Sequence, residues 1–199
     1  MPSLRSLLPT TFLSLALLAV PAMAGTVVAQ VGNDDGFGMG VLSGETLFLG
    51  DLAYGPDIGQ FREGGMLTQL GLSWSQPLVG AQLDVFSAGW GLDAPAQLFL
   101  NGQRVGALTV ADASASATGD DYAYLDTFDL GALLGSLAAL NEIEIRTASP
   151  DDGGALGFVR LTLRTQDATG GTVPEPAGAA LAAVALAGAA LATRRRRRG

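Results

Sequence analysis

Cysteine and histidine are absent from this sequence of 199 residues, and lysine is absent as well. Without cysteine there is no thiol nucleophile and no disulfide framework. Without cysteine and histidine, a zinc site built on those ligands and a Ser-His-Asp triad are also excluded. The lack of disulfides does not exclude export, because a domain of this size can be stable on its apolar core alone.

Positive charge is scarce in the middle of the chain. Between Gly25 and Gly170 there are eighteen Asp and Glu residues against five Arg residues. A segment this acidic repels the phosphates of nucleic acid, so we expect no nucleic-acid partner. Two interpretations of the charge remain open: it keeps an external protein soluble, or it binds cations.

The first 24 residues have the three parts of a secretory signal peptide. Arg5 supplies the positive start, and Thr11–Val20 is an apolar run too short to cross a bilayer comfortably. Pro21 ends that run, and the small residues Ala22 and Ala24 occupy the two positions that signal peptidase reads. We predict an N-terminal signal helix, cleaved after Ala24.

The C-terminal end predicts a single membrane anchor. A linker over residues 169–176 is followed by residues 177–193, which carry no charge and are mostly alanine. Seventeen helical residues cover roughly 25 Å, enough for a short transmembrane helix. A basic tail over residues 194–199 follows and is expected to stay cytoplasmic under the positive-inside rule. Residues 25–168 are therefore predicted to form an exported domain tethered to the inner membrane.

These C-terminal features resemble the PEP-CTERM sorting signal of Gram-negative bacteria. The resemblance covers residues 173–199 and implies recognition by exosortase, a membrane transpeptidase-like enzyme that cleaves near the motif. It also implies delivery to the cell surface or the exopolysaccharide matrix. A plain membrane anchor without sorting is the alternative. The residues that match are the tripeptide Pro174, Glu175 and Pro176 and the basic tail Arg194, Arg195, Arg196, Arg197 and Arg198.

The exported segment alternates apolar and polar residues in short runs bounded by Gly, Asp, Asn and Pro, a pattern typical of strands. Asn101-Gly102 predicts a tight hairpin turn, and leucines spaced through Gly131–Leu140 predict one short connecting helix. Together the runs predict an all-β antiparallel sandwich. The nine predicted strands are Thr26–Val31, Thr46–Leu49, Met66–Trp74, Ala81–Ser87, Ala96–Leu100, Gln103–Val110, Tyr122–Leu130, Glu142–Thr147 and Leu156–Arg164.

Residues 81–163 are similar to galactose-binding-like jelly rolls. The order that carries the similarity is a strand ending in the Asn-Gly turn, a Phe-Asp-Leu strand, a leucine-rich connector and the strand Asn141–Ile145. The resemblance implies a jelly-roll-like fold. It implies no ligand, because such folds host many functions.

Clustered carboxylates suggest one candidate cofactor, Ca²⁺, which prefers several oxygen ligands. Three predicted loops are rich in Asp: one contains Asp34 and Asp35, a second Asp120 and Asp121, and a third Asp151 and Asp152. Asp residues near Gly also favour turns without any ion, so turn formation is the competing interpretation. No other cofactor is expected.

Exposed aromatic residues are candidates for a glycan-binding platform, because aromatic faces pack on the C–H faces of sugar rings. The candidates are Trp74, Trp90, Tyr54, Tyr122 and Tyr124, of which Trp90 and Tyr122 are the preferred two. Trp90 is flanked by Gly89 and Gly91 in a predicted loop, and Tyr122 begins a predicted strand. A place in the core is the alternative for Trp90.

The prediction from the sequence is a protein without enzymatic activity, a structural or glycan-associated component of the biofilm. An independent carbohydrate-binding module is one alternative. A secreted glycoside hydrolase is another, since such enzymes use paired carboxylates. Glu142 and Glu144 share one face of a predicted strand, but no convincing catalytic pair emerges.

Overall fold

The computed structural model describes residues 25–113 and 120–166, which fold into two antiparallel β-sheets. The predicted all-β sandwich is thereby confirmed. The predicted signal helix and transmembrane helix lie outside the described residues. No helix within the described ranges is long and apolar enough to cross a membrane.

The strands are β1 (Thr26–Gly32), β2 (Thr46–Leu47), β3 (Phe61–Glu63), β4 (Met66–Gly71), β5 (Leu78–Ala88), β6 (Gln97–Leu100), β7 (Gln103–Ala107), β8 (Asp121–Asp129), β9 (Leu140–Arg146) and β10 (Gly153–Thr165).

The larger sheet has the order β1-β10-β5-β8-β2, with β3 also paired to β10, and the smaller sheet has the order β4-β9-β6-β7. Alternation along each strand directs one set of side chains between the sheets. Leu83 and Val85 of β5 and Leu161 and Leu163 of β10 are fully buried there. The core of the sandwich is thus built around the two longest strands.

The predicted hairpin turn is confirmed at Asn101-Gly102, between β6 and β7. Both residues have positive φ angles, 51° for Asn101 and 76° for Gly102. These are the angles of a type I′ turn, whose twist matches that of the two strands it joins.

Several details of the structure differ from the prediction. Two short helices, Gly36–Gly40 and Leu49–Asp51, were not predicted, and β4 and β7 end earlier than expected, at Gly71 and Ala107. Strand β3 was not predicted, because it has only three residues and its pairing with Gly153–Ala155 of β10 is distant in sequence. The connecting helix is a 3-10 helix over Gly131–Ser136 and ends earlier than expected, since Leu140 already begins β9. Its leucines Leu133 and Leu134 pack against the core, as their spacing indicated.

A second, smaller apolar cluster lies on the other face of the larger sheet. Phe86 and Phe158 form its centre, and Phe37, Val41 and neighbouring residues of the loop between β1 and β2 pack against it. Phe37 has a φ of 61°, which is rare for a bulky side chain, and its ring centroid lies 5.1 Å from that of Phe86. This loop covers part of the sheet and forms the wall of a pocket described below.

Candidate functional site

The residues predicted to direct export and sorting lie outside the described part of the chain. These are Ala22, Ala24, Pro174, Glu175, Pro176 and the arginines at positions 194–198. Their roles stay predictions.

Trp90 is a core residue, which corrects its prediction as a glycan platform. Its side chain is only 1% exposed. The ring packs tightly on Gly154 of β10, where an added Cβ would lie 2.6 Å from Trp90 Cδ2. The flanking Gly89 and Gly91 have φ angles of 90° and 127°, so they turn the chain inwards and bury the ring. A sugar cannot reach this face.

The two acidic residues of the loop before β10 have different surroundings. Asp152 is fully buried, and its carboxylate accepts hydrogen bonds from the backbone N–H groups of Gly91, at 3.1 Å, and Leu92, at 3.4 Å. Asp151 beside it is exposed. The Asp152 carboxylate therefore holds the Trp90 loop in place.

The acidic pair in the first loop is also engaged within the protein. Asp34 Oδ2 lies 2.6 Å from Arg160 Nη2, and Asp35 Oδ1 accepts a hydrogen bond from the Gly38 N–H at 2.9 Å. Among the described residues, no three acidic side chains are grouped closely enough to hold a metal ion. Calcium binding stays a prediction, without a ligand set assembled in this part of the chain.

Of the two preferred platform residues, Tyr122 is the one that the structure exposes, at 37% of its side chain. Tyr124 lies two residues further along β8, so both rings stand on the same face of the strand. Their centroids are 6.1 Å apart and their planes are tilted by 38°. We call these residues the tyrosine pair. The alternation Tyr122-Ala123-Tyr124 in the sequence predicts that both rings lie on the same face of a strand.

Carboxyl groups lie along the chain on both sides of the tyrosine pair. Asp126 accepts hydrogen bonds from Thr109, at 2.9 Å from the backbone N–H and 2.6 Å from Oγ1. Asp121 accepts one from the Ala113 N–H at 2.8 Å. Burial raises the pKa of Asp121 to about 6, helped by the nearby charges of Asp112 and Asp120, although the Ala113 bond lowers it.

Glu142 and Glu144 lie on one face of β9, as predicted. Arg146 Nε and Nη2 each donate to a Glu144 carboxylate oxygen at 2.7 Å. This pairing lowers the pKa of Glu144. A general acid in a glycosidase needs the opposite shift, so the geometry does not favour Glu144 in that role.

A pocket of about 330 Å³ lies on the outer face of the larger sheet, and the sequence did not reveal it. Phe86, Phe158 and Leu125 contribute apolar surface, while Asp34 and Arg160 contribute charge. Arg160 is fully engaged, because its Nε donates to Gln30 at 2.8 Å, its Nη2 pairs with Asp34, and its guanidinium lies 4.7 Å from the centre of the Phe158 ring.

No family model and no curated protein matches the chain. Among solved structures, it is similar to a variant of the protein BuGH86 in complex with neoagarooctaose, at 12% identity and a TM-score of 0.39, over 71% of this chain and 18% of that one. It is also similar to the catalytic domain of a GH87 α-1,3-glucanase variant in complex with nigerose, at 11% identity and a TM-score of 0.24. That match covers 79% of this chain and 31% of the other, so the chain spans less than a third of either protein.

The prediction that this chain is not an enzyme is contradicted by these comparisons and is withdrawn, because both similar chains are glycoside hydrolases. The similar proteins are glycan-active, and each structure contains a bound sugar. At such low identities and TM-scores, neither likeness assigns a ligand or a catalytic residue to this chain.

Proposed function

We propose that this chain is an exported protein whose β-sandwich binds polysaccharide at the cell surface or in the exopolysaccharide matrix. The observation that carries the proposal is the tyrosine pair, two neighbouring rings on one face of β8, with Tyr122 37% exposed. Two adjacent aromatic rings offer a longer apolar face than one, which suits a chain of linked sugar rings.

The chemistry around the tyrosine pair is that of sugar recognition. Aromatic faces pack against the C–H groups of a pyranose, and the tyrosine hydroxyls can exchange hydrogen bonds with sugar hydroxyls. The Asp126 carboxylate is an acceptor on the same face of the same strand as the two rings. The rigid rings lose little conformational entropy on binding, because each has only two rotatable side-chain bonds.

The route to the surface is part of the same proposal and is supported by the sequence of the two ends. Signal peptidase removes residues 1–24, and the helix over residues 177–193 holds the protein in the inner membrane with its N-terminus outside. Exosortase then acts near Pro174, Glu175 and Pro176. Delivery beyond the membrane brings the β-sandwich into contact with its partner, the exopolysaccharide.

Replacing Tyr122 or Tyr124 by alanine tests the binding role. We expect each substitution to weaken polysaccharide binding by roughly tenfold, the effect of losing one stacked ring worth about 1.4 kcal/mol. The measurement is affinity electrophoresis of the full-length protein through gels containing soluble polysaccharides, followed by titration calorimetry with the best of them. The release of reducing ends is measured in the same samples, which reports any hydrolysis directly.

Tyr54→Ala is the matched control. Tyr54 is 70% exposed and also has one aromatic neighbour, Phe61, at 5.8 Å between ring centroids, but it is not part of β8. Equal losses in Tyr54→Ala and Tyr122→Ala, or binding unchanged in both β8 variants, would contradict the proposal.

A further inference from the structure

A cavity of about 490 Å³ is lined by residues of β3, β4 and β9, and no role has been assigned to it above. It is larger than the pocket on the outer face of the larger sheet. We call it the arginine cavity, because Arg62 of β3 and Arg146 of β9 both line it. Leu67, Glu144 and Thr147 also contribute to its wall.

The two arginines are a local concentration of positive charge in an acidic domain. Only five arginines occur between Gly25 and Gly170, against eighteen acidic residues, and two of the five line this one cavity. Glu144 is the only acidic residue among those that line it. Arginine presents a planar fork of donors that matches the two oxygens of a carboxylate.

Arg146 is held rigidly in the wall of the cavity. Its guanidinium makes two parallel hydrogen bonds to Glu144 and lies 3.9 Å from the centre of the Phe99 ring. The charge of Arg146 is therefore largely balanced within the protein. Its main contribution is a fixed donor surface and a fixed position for Glu144.

Arg62 is different, because no ion pair balances its charge among residues 25–113 and 120–166. Its Nε is buried and has no hydrogen-bond partner, and no ion pair joins its guanidinium to any residue in the described part of the chain. Arg62 as a whole is half-buried, and a half-buried guanidinium without a counter-ion favours an anionic ligand. An acceptor with negative charge is the chemistry that Arg62 lacks.

The cavity also has an apolar wall and room for more than a simple ion. Leu67 lines it and is 53% exposed, which leaves apolar surface beside the two guanidinium groups. A volume near 490 Å³ is within the range of small-ligand sites. Charge and apolar surface side by side match a sugar ring that carries a carboxylate.

We propose that the arginine cavity binds an acidic sugar residue of the polysaccharide, with its carboxylate on Arg62 and its ring against Leu67. The inference rests on the proposed function and deepens it, since it names the ligand as a uronic acid residue. Neutral sugar rings pack on the tyrosine pair, where the Asp126 carboxylate on the same face of β8 opposes a negative charge. The acidic residue binds at a separate place, in the arginine cavity.

The test is calorimetric titration of the full-length protein with a tetrasaccharide that contains glucuronic acid, and with the same tetrasaccharide after reduction of its carboxyl group. We expect the acidic form to bind at least tenfold more tightly. Arg62→Gln should remove this preference and leave the affinity for the reduced form unchanged. Arg164→Gln is the control, because it changes the net charge equally at an exposed position of β10 outside the cavity.

Several outcomes would overturn the inference. One such outcome is equal binding of the acidic and the reduced tetrasaccharide. Another is an equal loss of binding in Arg62→Gln and Arg164→Gln, because an equal loss indicates a general effect of net charge. Acetate alone binding as well as the tetrasaccharide would overturn the assignment to a sugar. If the tyrosine variants lose polysaccharide binding but Arg62→Gln still prefers the acidic sugar, only this inference is contradicted. If Arg62→Gln loses that preference but the tyrosine variants bind normally, only the role of the tyrosine pair is contradicted.

A second variant separates binding from folding. Arg62→Met keeps much of the side-chain stem and removes the unsatisfied donor, so we expect its melting temperature without sugar to equal or exceed that of the unmodified protein. The acidic tetrasaccharide should raise the melting temperature of the unmodified protein and not that of Arg62→Met. An equal rise in both proteins would contradict a role for Arg62.

Discussion

At the scale of single residues, the fold disfavours the ionised form of Asp121. Its carboxyl group is partly buried at the start of β8, and burial together with the charges of Asp112 and Asp120 raises its pKa from 3.8 to about 6. The Ala113 N–H donates to Asp121 Oδ1, and this hydrogen bond offsets only part of the rise in the pKa. The folded protein thus binds this proton more tightly than the unfolded chain does.

We expect the contribution of Asp121 to the free energy of unfolding to be complete below about pH 3.8 and to decline as the pH rises through about 6. Asp121→Asn keeps an oxygen acceptor for Ala113 and removes the charge. It should therefore be more stable than the unmodified protein at pH 7.5, by on the order of 1 kcal/mol after allowance for partial exposure, with little difference near pH 4.

Chemical denaturation of both proteins between pH 4 and 8 checks this expectation. Asp57→Asn, at an exposed position, is the control for net charge. A difference between Asp121→Asn and the unmodified protein that does not change with pH would contradict the argument.

At the scale of structural elements, the loop from Gly89 to Leu92 depends on a residue sixty positions away. Asp152 is fully buried just before β10, and its carboxylate accepts hydrogen bonds from the backbone of Gly91 and Leu92. This contact keeps Trp90 between the sheets, against the glycine surface of Gly154. One carboxylate therefore links the loop after β5 to the start of β10.

Asp152→Ala should lower the free energy of unfolding by about 3 kcal/mol, because two backbone N–H groups lose a charged acceptor inside the protein. Asp152→Asn should cost less, since one side-chain oxygen remains. Asp151→Ala changes the exposed neighbour and should cost less than about 0.5 kcal/mol. Urea denaturation followed by tryptophan fluorescence measures all three variants, and equal losses at positions 151 and 152 would contradict the role of Asp152.

At the scale of the whole molecule, charge and apolar surface are distributed in a way that suits export. The middle of the chain is acidic, whereas the basic residues outside it are Arg5 near one end and five arginines at the other. Under the positive-inside rule we expect this arrangement to keep the C-terminal end in the cytoplasm. The proposed position of the β-sandwich outside the membrane follows from that orientation.

Intact-mass analysis of the protein released from the cell surface tests this arrangement. We expect the mature N-terminus at Gly25 and a C-terminus near Pro176 in cells with the sorting enzyme. Without that enzyme, we expect the protein to stay in the membrane fraction with Gly199 still attached. A protein recovered from the cytosol with both Met1 and Gly199 would contradict the proposal.

The class of the fold and most of its strands could be predicted from the amino-acid sequence. Alternation and turn formation are local properties, so β1, β5, β8 and the Asn101-Gly102 hairpin could be predicted from neighbouring residues alone.

Which side chains are buried, which polar atoms lack a partner and which distant residues are in contact could not be predicted in this way. Packing of the two sheets buried Trp90, turned Asp152 towards the backbone of Gly91 and paired β3 with β10. Within the described part of the chain it also left Arg62 Nε without a hydrogen-bond acceptor, in a residue that shares a cavity with Arg146. These features depend on contacts between residues far apart along the chain, and such contacts form only when the two sheets pack together.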